Sequence, residues 1–258
     1  MQQWLLRSIM GVLIGQQNQR LYDAINWQQE SDRFRQPDLQ YPQYYISQNF
    51  HGIAGGYLNA IAPITYDAIT TLASPPNERW IRQQLITAIQ GNPQQILDLG
   101  CGTGTSTLML KQAFPEAIVI GLDVSPYMLV VAAHKAQQAG LSITWQHGLA
   151  ETTGFQSHQF DVVTASFLLH ETPPNISGLI LQECLRLLKP GGQVLILDGN
   201  QLLLRHADWL IQLFREPYSK VYAQGDTQTW MESVGFEAAQ TTPIGWIHQL
   251  TSGIKERF

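Results

Sequence analysis

The chain has 258 residues and a formal net charge of −5, and only 14% of its residues are charged, against roughly 25% in typical soluble domains. This length accommodates one large domain, or one domain with a sizeable extension. Nucleic acid binders usually carry a basic face, because neutralised phosphates supply most of their affinity. The basic residues here form only short clusters, such as Arg33 with Arg35, so nucleic acid is an unfavourable partner.

Cys101 and Cys184 are the two cysteines, and their spacing fits neither a disulfide framework nor a metal site. We therefore expect no metal, and a reducing cytoplasmic location fits this cysteine usage. The apolar stretch within residues 1–15 is too short to span a bilayer and is followed by no small-residue cleavage site. An amphipathic helix is favoured there, used for ordinary packing, as a lid, or in a peripheral membrane contact.

Residues 1–75 show no clear alternation of strands and helices, and they include aromatic, turn-rich sequence between Tyr41 and Tyr57. The pair Pro75-Pro76 predicts a boundary, because proline interrupts a helix and pushes the preceding residue toward extended geometry. The prediction is a helical or irregular N-terminal extension over residues 1–75, with a possible role as a lid, followed by one domain over residues 76–258.

From residue 80 onward the pattern alternates between helices and strands. Predicted helices cover residues 80–89, 105–114, 126–139, 176–188 and 226–234. Predicted strands cover residues 95–99, 117–122, 142–146, 160–167 and 193–197, with strand-like pieces near Phe236 and at 245–250. Such alternation predicts βαβ units and a mainly parallel sheet, and the near-continuous apolar strands indicate that both faces of that sheet are covered.

A glycine-rich turn within residues 96–105 joins the first predicted strand to a helix. Ligands bind at the carboxyl ends of parallel strands, glycines bring main chain close to a ligand, and the helix N-terminus offers free N–H groups. The dinucleotide fingerprint is Gly-x-Gly-x-x-Gly, whereas Gly100, Gly102 and Gly104 are spaced Gly-x-Gly-x-Gly and follow Asp98. A carboxylate there suits a cationic, amino-acid-like ligand, which favours S-adenosylmethionine (SAM) over a nicotinamide cofactor. A turn that binds nothing is the competing interpretation.

Four runs resemble the motifs of class I SAM-dependent methyltransferases, and they follow the family's order. They are Leu-Asp-Leu-Gly-Cys-Gly-Thr-Gly at 97–104, Gly-Leu-Asp-Val-Ser-Pro-Tyr-Met-Leu at 121–129, the stretch 160–170, and Arg-Leu-Leu-Lys-Pro-Gly-Gly at 186–192. The resemblance implies an α/β fold, a Rossmann-like αβα sandwich with a seven-stranded, mainly parallel sheet. It further implies SAM as cofactor and S-adenosylhomocysteine as product.

The resemblance also assigns roles to residues. Asp123, at the end of the second predicted strand, is expected to accept hydrogen bonds from the ribose hydroxyls, although a helix-capping role is the alternative. Asp98 is expected to orient the methionine ammonium, and Val124 and Met128 to pack against adenine. The full set expected at the cofactor is Asp98, Gly100, Cys101, Gly102, Thr103, Gly104, Asp123, Val124, Met128, Leu149, Ala150 and Ser166.

One run departs from the family's pattern. Where the family often carries an acidic residue that holds the adenine amino group, the run is Gly148-Leu149-Ala150-Glu151, with Leu149 in the acidic slot. We therefore expect adenine to be held by backbone groups or from elsewhere, with Glu151 a weak substitute, and SAM affinity to be lower than is usual in the family.

Methyl transfer needs alignment of a nucleophile with an activated carbon, and a general base only where the acceptor is poorly ionised. His170, beside Glu171, is the leading candidate for that base, with a wall position in the pocket as the alternative, and His51 is a weaker candidate. The residues expected around the acceptor are Tyr44, Tyr45, His51, Tyr57, His170, Glu171, Tyr218 and Tyr222.

Three functions remain open from the sequence. The favoured one is a methyltransferase acting on O, N or C of a small, apolar or aromatic acceptor. The second is a SAM-binding pseudo-enzyme that works through protein contacts, and the third is a nicotinamide oxidoreductase, which Asp98 and the loop spacing disfavour. No Asn-Pro-Pro-Tyr-like run follows the fourth predicted strand, which argues against methylation of amides or base amines.

Overall fold

A single seven-stranded sheet organises the protein, whose computed structural model describes residues 22–257. Its strands are β1 (Gln95–Leu99), β2 (Ile118–Asp123), β3 (Thr144–His147), β4 (Phe160–Ser166), β5 (Leu188–Gly199), β6 (Phe236–Ile244) and β7 (His248–Lys255). Their order is β3-β2-β1-β4-β5-β7-β6, with β1 to β5 paired in parallel and β7 antiparallel to both β5 and β6. The predicted seven-stranded, mainly parallel sheet is confirmed.

Helices cover both faces of this sheet and precede it in the chain. They are α1 (Trp27–Phe34), α2 (Gln43–Ile46), α3 (Ile61–Ala73), α4 (Glu78–Ala88), α5 (Thr105–Ala113), α6 (Pro126–Gln138), α7 (Pro174–Leu187), α8 (Gln201–Leu204), α9 (Asp208–Phe214), α10 (Ser219–Gln224) and α11 (Thr227–Val234). Within residues 22–257, no helix is long and apolar enough to cross a membrane. The apolar stretch of residues 1–15 lies outside the described residues.

Local sequence explains where α6 begins and ends. The Ser125 hydroxyl accepts a hydrogen bond from the Met128 amide, and Pro126 occupies the first turn, where its missing N–H costs nothing. Gly140 follows the helix with a φ of +65°, a conformation that glycine adopts without strain. The start and end predicted from proline and glycine are therefore confirmed.

Alternation along β1 divides the core between the two faces of the sheet. Ile96 packs with Ile81 and Leu85 of α4, whereas Leu97 packs on the other side with Leu181 of α7. All five side chains are 0% exposed, and each contributes about 1.5–3 kcal/mol by leaving water. Because β1 is buried on both faces, it reads as an apolar run, as expected of a central parallel strand.

Two regions differ from the sequence-based prediction. The strand predicted at 193–197 extends over Leu188–Gly199, because Leu188 already pairs with Phe160. Residues 189–192 form an irregularity in the strand before Gln193 pairs with Val162. Helices α8 to α10, between β5 and α11, were not predicted, because each is only four to seven residues long and short helices give weak periodicity.

Candidate active site

Two adjoining cavities open at the carboxyl ends of the parallel strands, where ligands bind in this kind of sheet. The first, here called the glycine-loop cavity, takes in about 650 Å³ of space, part of it open to solvent, between the loop after β1, the end of β2 and the segment after β3. The second, the histidine cavity, encloses about 620 Å³ and carries three histidines. Tyr66, Phe167 and Glu171 line both cavities, so these side chains form their shared wall.

The glycine loop presents its main chain to the first cavity. Gly100 and Gly102 line it, with φ values of +60° and +53° that side chains rarely tolerate. A Cβ on Gly100 would lie 2.7 Å from a methyl carbon of Leu168. Glycine is therefore required at position 100 for both conformation and space.

Asp123 connects the loop to the second strand. One carboxylate oxygen accepts from the Gly102 amide and the other from the Ser125 amide, each at 2.8 Å, and the residue lines the cavity although it is only 8% exposed. Burial raises its pKa to about 6, against the lowering effect of the two amides. Asp123 is therefore ionised at neutral pH and keeps lone pairs free for hydroxyl donors in the cavity.

Several residues expected at the cofactor brace the loop from beneath. Asp98 is buried and accepts from the hydroxyls of Thr107, at 2.6 Å, and Thr164, at 2.8 Å. Thr103 accepts from Lys135 at 3.0 Å, and Ser166 accepts from Ser106 at 3.0 Å. The cavity lining does not include five of the residues expected at the cofactor: Asp98, Cys101, Thr103, Gly104 and Ser166. A direct contact between the Asp98 carboxylate and an ammonium stays a prediction.

Apolar side chains form a further wall of the glycine-loop cavity. Leu149, in the slot where an acidic residue was expected, lines this wall together with Leu122, Val124, Met128, Ala150 and Ile180. Glu151 also lines the cavity, and its carboxylate accepts a hydrogen bond from the Tyr44 hydroxyl at 2.7 Å. The wall suits a planar apolar group, with adjacent backbone polar groups from Gly148 to Ala150.

The N-terminal extension covers the glycine-loop cavity with tyrosines. Tyr44, Tyr45, Tyr57 and Tyr66 line it. The Tyr57 hydroxyl donates to Glu171 at 2.5 Å, and the Ser125 hydroxyl donates to the Tyr57 carbonyl at 2.6 Å. These two hydrogen bonds attach the extension to the shared wall and to the end of β2. A lid over this site would lie in the same place.

His170 sits between two carboxylates in the histidine cavity. Its Nδ1 pairs with Asp198, at the end of β5, and its Nε2 lies 3.2 Å from Glu216. Burial alone would lower the pKa of His170, but the two carboxylates outweigh it and hold that pKa well above the ordinary value. An imidazolium has no lone pair with which to accept a proton, so this geometry favours the interpretation of His170 as a wall residue.

His51 reaches the same carboxylates from the extension. Its Nε2 lies 3.5 Å from Glu171 and its Nδ1 lies 3.7 Å from Glu216. Burial lowers the pKa of His51, but the hydrogen bond that its ring donates to Glu171 and the charge of Glu216 raise that pKa overall. Burial would raise the pKa of Glu216, yet the two histidines lower it to about 2. The cavity therefore contains a paired network of cations and anions.

The two tyrosines predicted after β5 lie outside both cavities. Tyr222 is fully buried, its hydroxyl donates to the Gly199 carbonyl at 3.0 Å, and its ring packs edge-on against His170 with centroids 6.2 Å apart. The Tyr218 hydroxyl donates to the Tyr44 carbonyl at 2.8 Å. These residues support the site from behind, whereas the prediction placed them along the acceptor.

Sequence reasoning missed several residues that line or anchor the histidine cavity: Tyr66, Phe167, Asp198, Glu216 and His248. Asp198 had a usable signal, because a polar residue at the carboxyl end of a parallel strand faces the ligand edge of the sheet. Glu216 and His248 had none, since the segments that carry them approach the sheet only in the tertiary structure.

Comparisons with known proteins agree with this geometry. Residues 96–192 match the family model described as a methyltransferase domain. A demethylmenaquinone methyltransferase of Bacillus cytotoxicus is 30% identical over 189 residues, which cover 69% of this chain and 76% of that protein. The chain belongs to the class I SAM-dependent methyltransferases. A demethylmenaquinone methyltransferase of Thermus thermophilus is 37% identical over 139 residues, but the match covers only 62% of that relative's length.

Solved methyltransferase structures share the fold. The SAM-dependent methyltransferase SibL, in its apo form, superposes with a TM-score of 0.60 at 20% identity, covering 88% of this chain and 65% of that one. Phosphoethanolamine N-methyltransferase 2 of Haemonchus contortus, in complex with SAM, gives a TM-score of 0.61 at 17% identity, covering 77% of this chain and 57% of that one. At these identities the likeness concerns the fold alone.

SAM is the cofactor of this class of methyltransferase, and the glycine-loop cavity fits it. A cradle that a side chain at Gly100 would fill can take the methionine part, the Asp123 carboxylate can accept from ribose hydroxyls, and the wall around Leu149 can take adenine. Among the residues that the structure describes, no group of three or more His, Cys, Asp or Glu side chains could hold a metal ion.

Proposed function

We propose that this methyltransferase transfers a methyl group from SAM to a ring carbon of a reduced quinone, a hydroquinone with an apolar tail. The observation that carries the proposal is the histidine cavity itself, which shares Tyr66, Phe167 and Glu171 with the cofactor site. Its lining combines four aliphatic side chains with three histidines and two glutamates, which suits an aromatic ring that carries oxygen substituents. The names of the demethylmenaquinone methyltransferase relatives support the same acceptor class.

The glycine-loop cavity would hold the donor in place. SAM supplies a methyl group already activated by its sulfonium. Asp123 would bind the ribose hydroxyls, the main chain at Gly100 and Gly102 would lie under the methionine part, and the apolar wall around Leu149 would pack on adenine. The tyrosines of the extension would exclude water, which matters because methyl transfer depends mainly on alignment in a closed site.

The histidine cavity would bind the acceptor in its reduced form. A quinone ring is poor in electrons, whereas a hydroquinone that has lost a phenolic proton can attack the methyl carbon through its ring. The cations at His170 and His51 would stabilise the phenolate, because a nearby positive charge lowers the pKa of a hydroxyl.

The phenol gives up a proton before the attack, and the methylated ring carbon gives up its hydrogen as a proton when the ring regains aromaticity. The phenolate oxygen is then reprotonated, so one proton is released overall. The carboxylate of Glu171 lies on the wall shared by donor and acceptor, so Glu171 is the residue we propose to receive the proton from the carbon. This assigns base chemistry to a carboxylate and charge stabilisation to the histidines.

The test is methyl transfer from SAM to reduced demethylmenaquinone under anaerobic conditions, followed by mass spectrometry of the quinone. We expect one added methyl group on the reduced acceptor and none when the quinone is kept oxidised. S-adenosylhomocysteine should form in equal amount. Tight SAM binding without transfer to any reduced quinone would contradict the proposal and favour the pseudo-enzyme.

A further inference from the structure

Three buried side-chain atoms remain without a hydrogen-bond partner among the described residues: the Tyr45 hydroxyl, the Ser74 hydroxyl and His248 Nδ1. Buried polar groups in folded proteins are nearly always paired, because leaving one unpaired costs stability. All three residues line the two cavities, Tyr45 the glycine-loop cavity and the other two the histidine cavity. Their position indicates that a bound molecule completes their hydrogen bonding.

Ser74 and His248 come from different parts of the chain. Ser74 caps the C-terminus of α3 and is 1% exposed, and His248 begins β7 and is 5% exposed. The His248 ring packs against Phe167 of the shared wall, with ring centroids 5.2 Å apart. This contact fixes the imidazole beside the place where donor and acceptor meet.

His248 differs chemically from the other two histidines of the cavity. His170 and His51 lie against carboxylates, which raise the pKa of both imidazoles. Burial instead lowers the pKa of His248 to about 4, so its ring is neutral at pH 7. A neutral imidazole offers one donor and one acceptor, and a serine hydroxyl offers both functions. Together they match an uncharged oxygen better than an anion.

We propose that Ser74 and His248 form a subsite that hydrogen-bonds an uncharged hydroxyl or carbonyl oxygen on the ring of the acceptor. A hydroquinone carries two oxygens, and the subsite would take the one that is not ionised, while the cationic histidines face the phenolate. This inference rests on the proposed function, since it assumes an aromatic acceptor in the histidine cavity.

The experiment compares two probes, 1,4-dihydroxynaphthalene and 1-naphthol, which differ by one hydroxyl. Binding is measured anaerobically by calorimetry with S-adenosylhomocysteine present. The unaltered protein should bind the diol about tenfold more tightly than 1-naphthol, which corresponds to a difference of about 1.4 kcal/mol in binding free energy. The diol is the more polar probe, so simple apolar burial predicts the opposite preference.

Variants then assign that preference to the subsite. In the double variant, Ser74→Ala with His248→Leu, the ratio of the affinity for the diol to the affinity for 1-naphthol should fall to about one. Ser74→Ala alone removes a single oxygen and should lower this ratio severalfold. His248→Asn should retain part of the preference, because an amide also donates and accepts. His158→Asn is the matched control: this exposed histidine has a φ of +60°, which asparagine tolerates, and the ratio should not change.

An unchanged ratio in the double variant would overturn the subsite, provided that S-adenosylhomocysteine still binds as it does to the unaltered protein. Failure of both naphthols to bind would overturn it as well. The proposed function is judged separately by methyl transfer to reduced demethylmenaquinone, so transfer without diol preference removes the subsite and leaves the function standing.

Discussion

The two cavities are built in different ways from the same chain. The glycine-loop cavity is built around the loops that directly follow β1, β2 and β3, with tyrosines of the extension and the segment after β4 completing its wall, and its central interactions involve main chain and one carboxylate. The histidine cavity takes side chains from the extension, from the loop after β4, from helices α8 and α9 and from the β6–β7 hairpin. The glycine-loop cavity thus rests on loops at the strand ends and on main chain, whereas the histidine cavity depends on side chains brought together from distant segments. On the proposed function, the first would recognise the donor and the second the acceptor.

Their electrostatics differ as well. The Asp123 carboxylate lines the glycine-loop cavity, where it is buried and hydrogen-bonded to two amides. Among the ion pairs of the described residues, none joins Asp123 to a cation. The histidine cavity holds cations and anions in contact, with His170 between Asp198 and Glu216. The first arrangement leaves capacity for ligand hydroxyls, and the second pairs two histidines with the carboxylates of Asp198, Glu216 and Glu171.

The largest effect should come from breaking the paired network. Asp198→Ala leaves the buried His170 cation without its closest partner, and Asp198 is itself only 1% exposed. We expect a loss of about 3 kcal/mol in the free energy of unfolding, measured by urea denaturation. As a control, Asp208→Ala removes an exposed ion pair with Lys220 and should change stability little. Equal stability of the two variants would show that the network contributes nothing.

The next effect concerns the glycine-loop cavity alone. Asp123→Ala should weaken S-adenosylhomocysteine binding by well over tenfold, about 1.4 kcal/mol or more, because charge-assisted hydrogen bonds to the ribose are lost. Calorimetry measures this directly, and Asp32→Ala, on the exposed side of α1, serves as the control. Affinity that stays unchanged in Asp123→Ala would remove Asp123 from the cofactor site.

A smaller and graded effect should appear with pH. The pKa of Asp123 is raised to about 6, so the carboxylate is ionised above that pH and protonated below it. A ligand that donates hydroxyls to the carboxylate prefers the ionised form, and affinity should therefore be constant above about pH 7 and fall about tenfold by pH 5. Asp123→Asn should flatten this profile. A profile that is the same in both proteins would assign the pH dependence to another group.

Much of the fold and of the donor site was predictable. Apolar strands near residues 95–99 and 117–122, proline and glycine at the ends of α6, and the glycine loop are local signals, each set by a few neighbouring residues. The positions of Gly100, Gly102 and Asp123 at one cavity follow from them, because the carboxyl ends of adjacent parallel strands meet at one edge.

For two other residues, contacts with neighbouring side chains set the orientation of the side chain. Asp98 was expected to orient the methionine ammonium, directly or through water, and its carboxylate accepts from the hydroxyls of Thr107 and Thr164 beneath the loop, so its role toward the ammonium stays a prediction. Tyr222 was expected along the acceptor, but its ring is part of the buried core behind His170. Sequence placed both residues in the right region and could not decide which way each side chain points.

By itself the sequence determined the sheet, its direction and the glycine loop, because hydrophobic periodicity and backbone conformation depend on residues that are close in the chain. Only the tertiary structure decided that His51, Glu216 and His248 share one cavity, and that the pKa is raised for two of its histidines and lowered for the third. Charge state follows from burial and from the carboxylates within reach, and neither is written in the order of the residues.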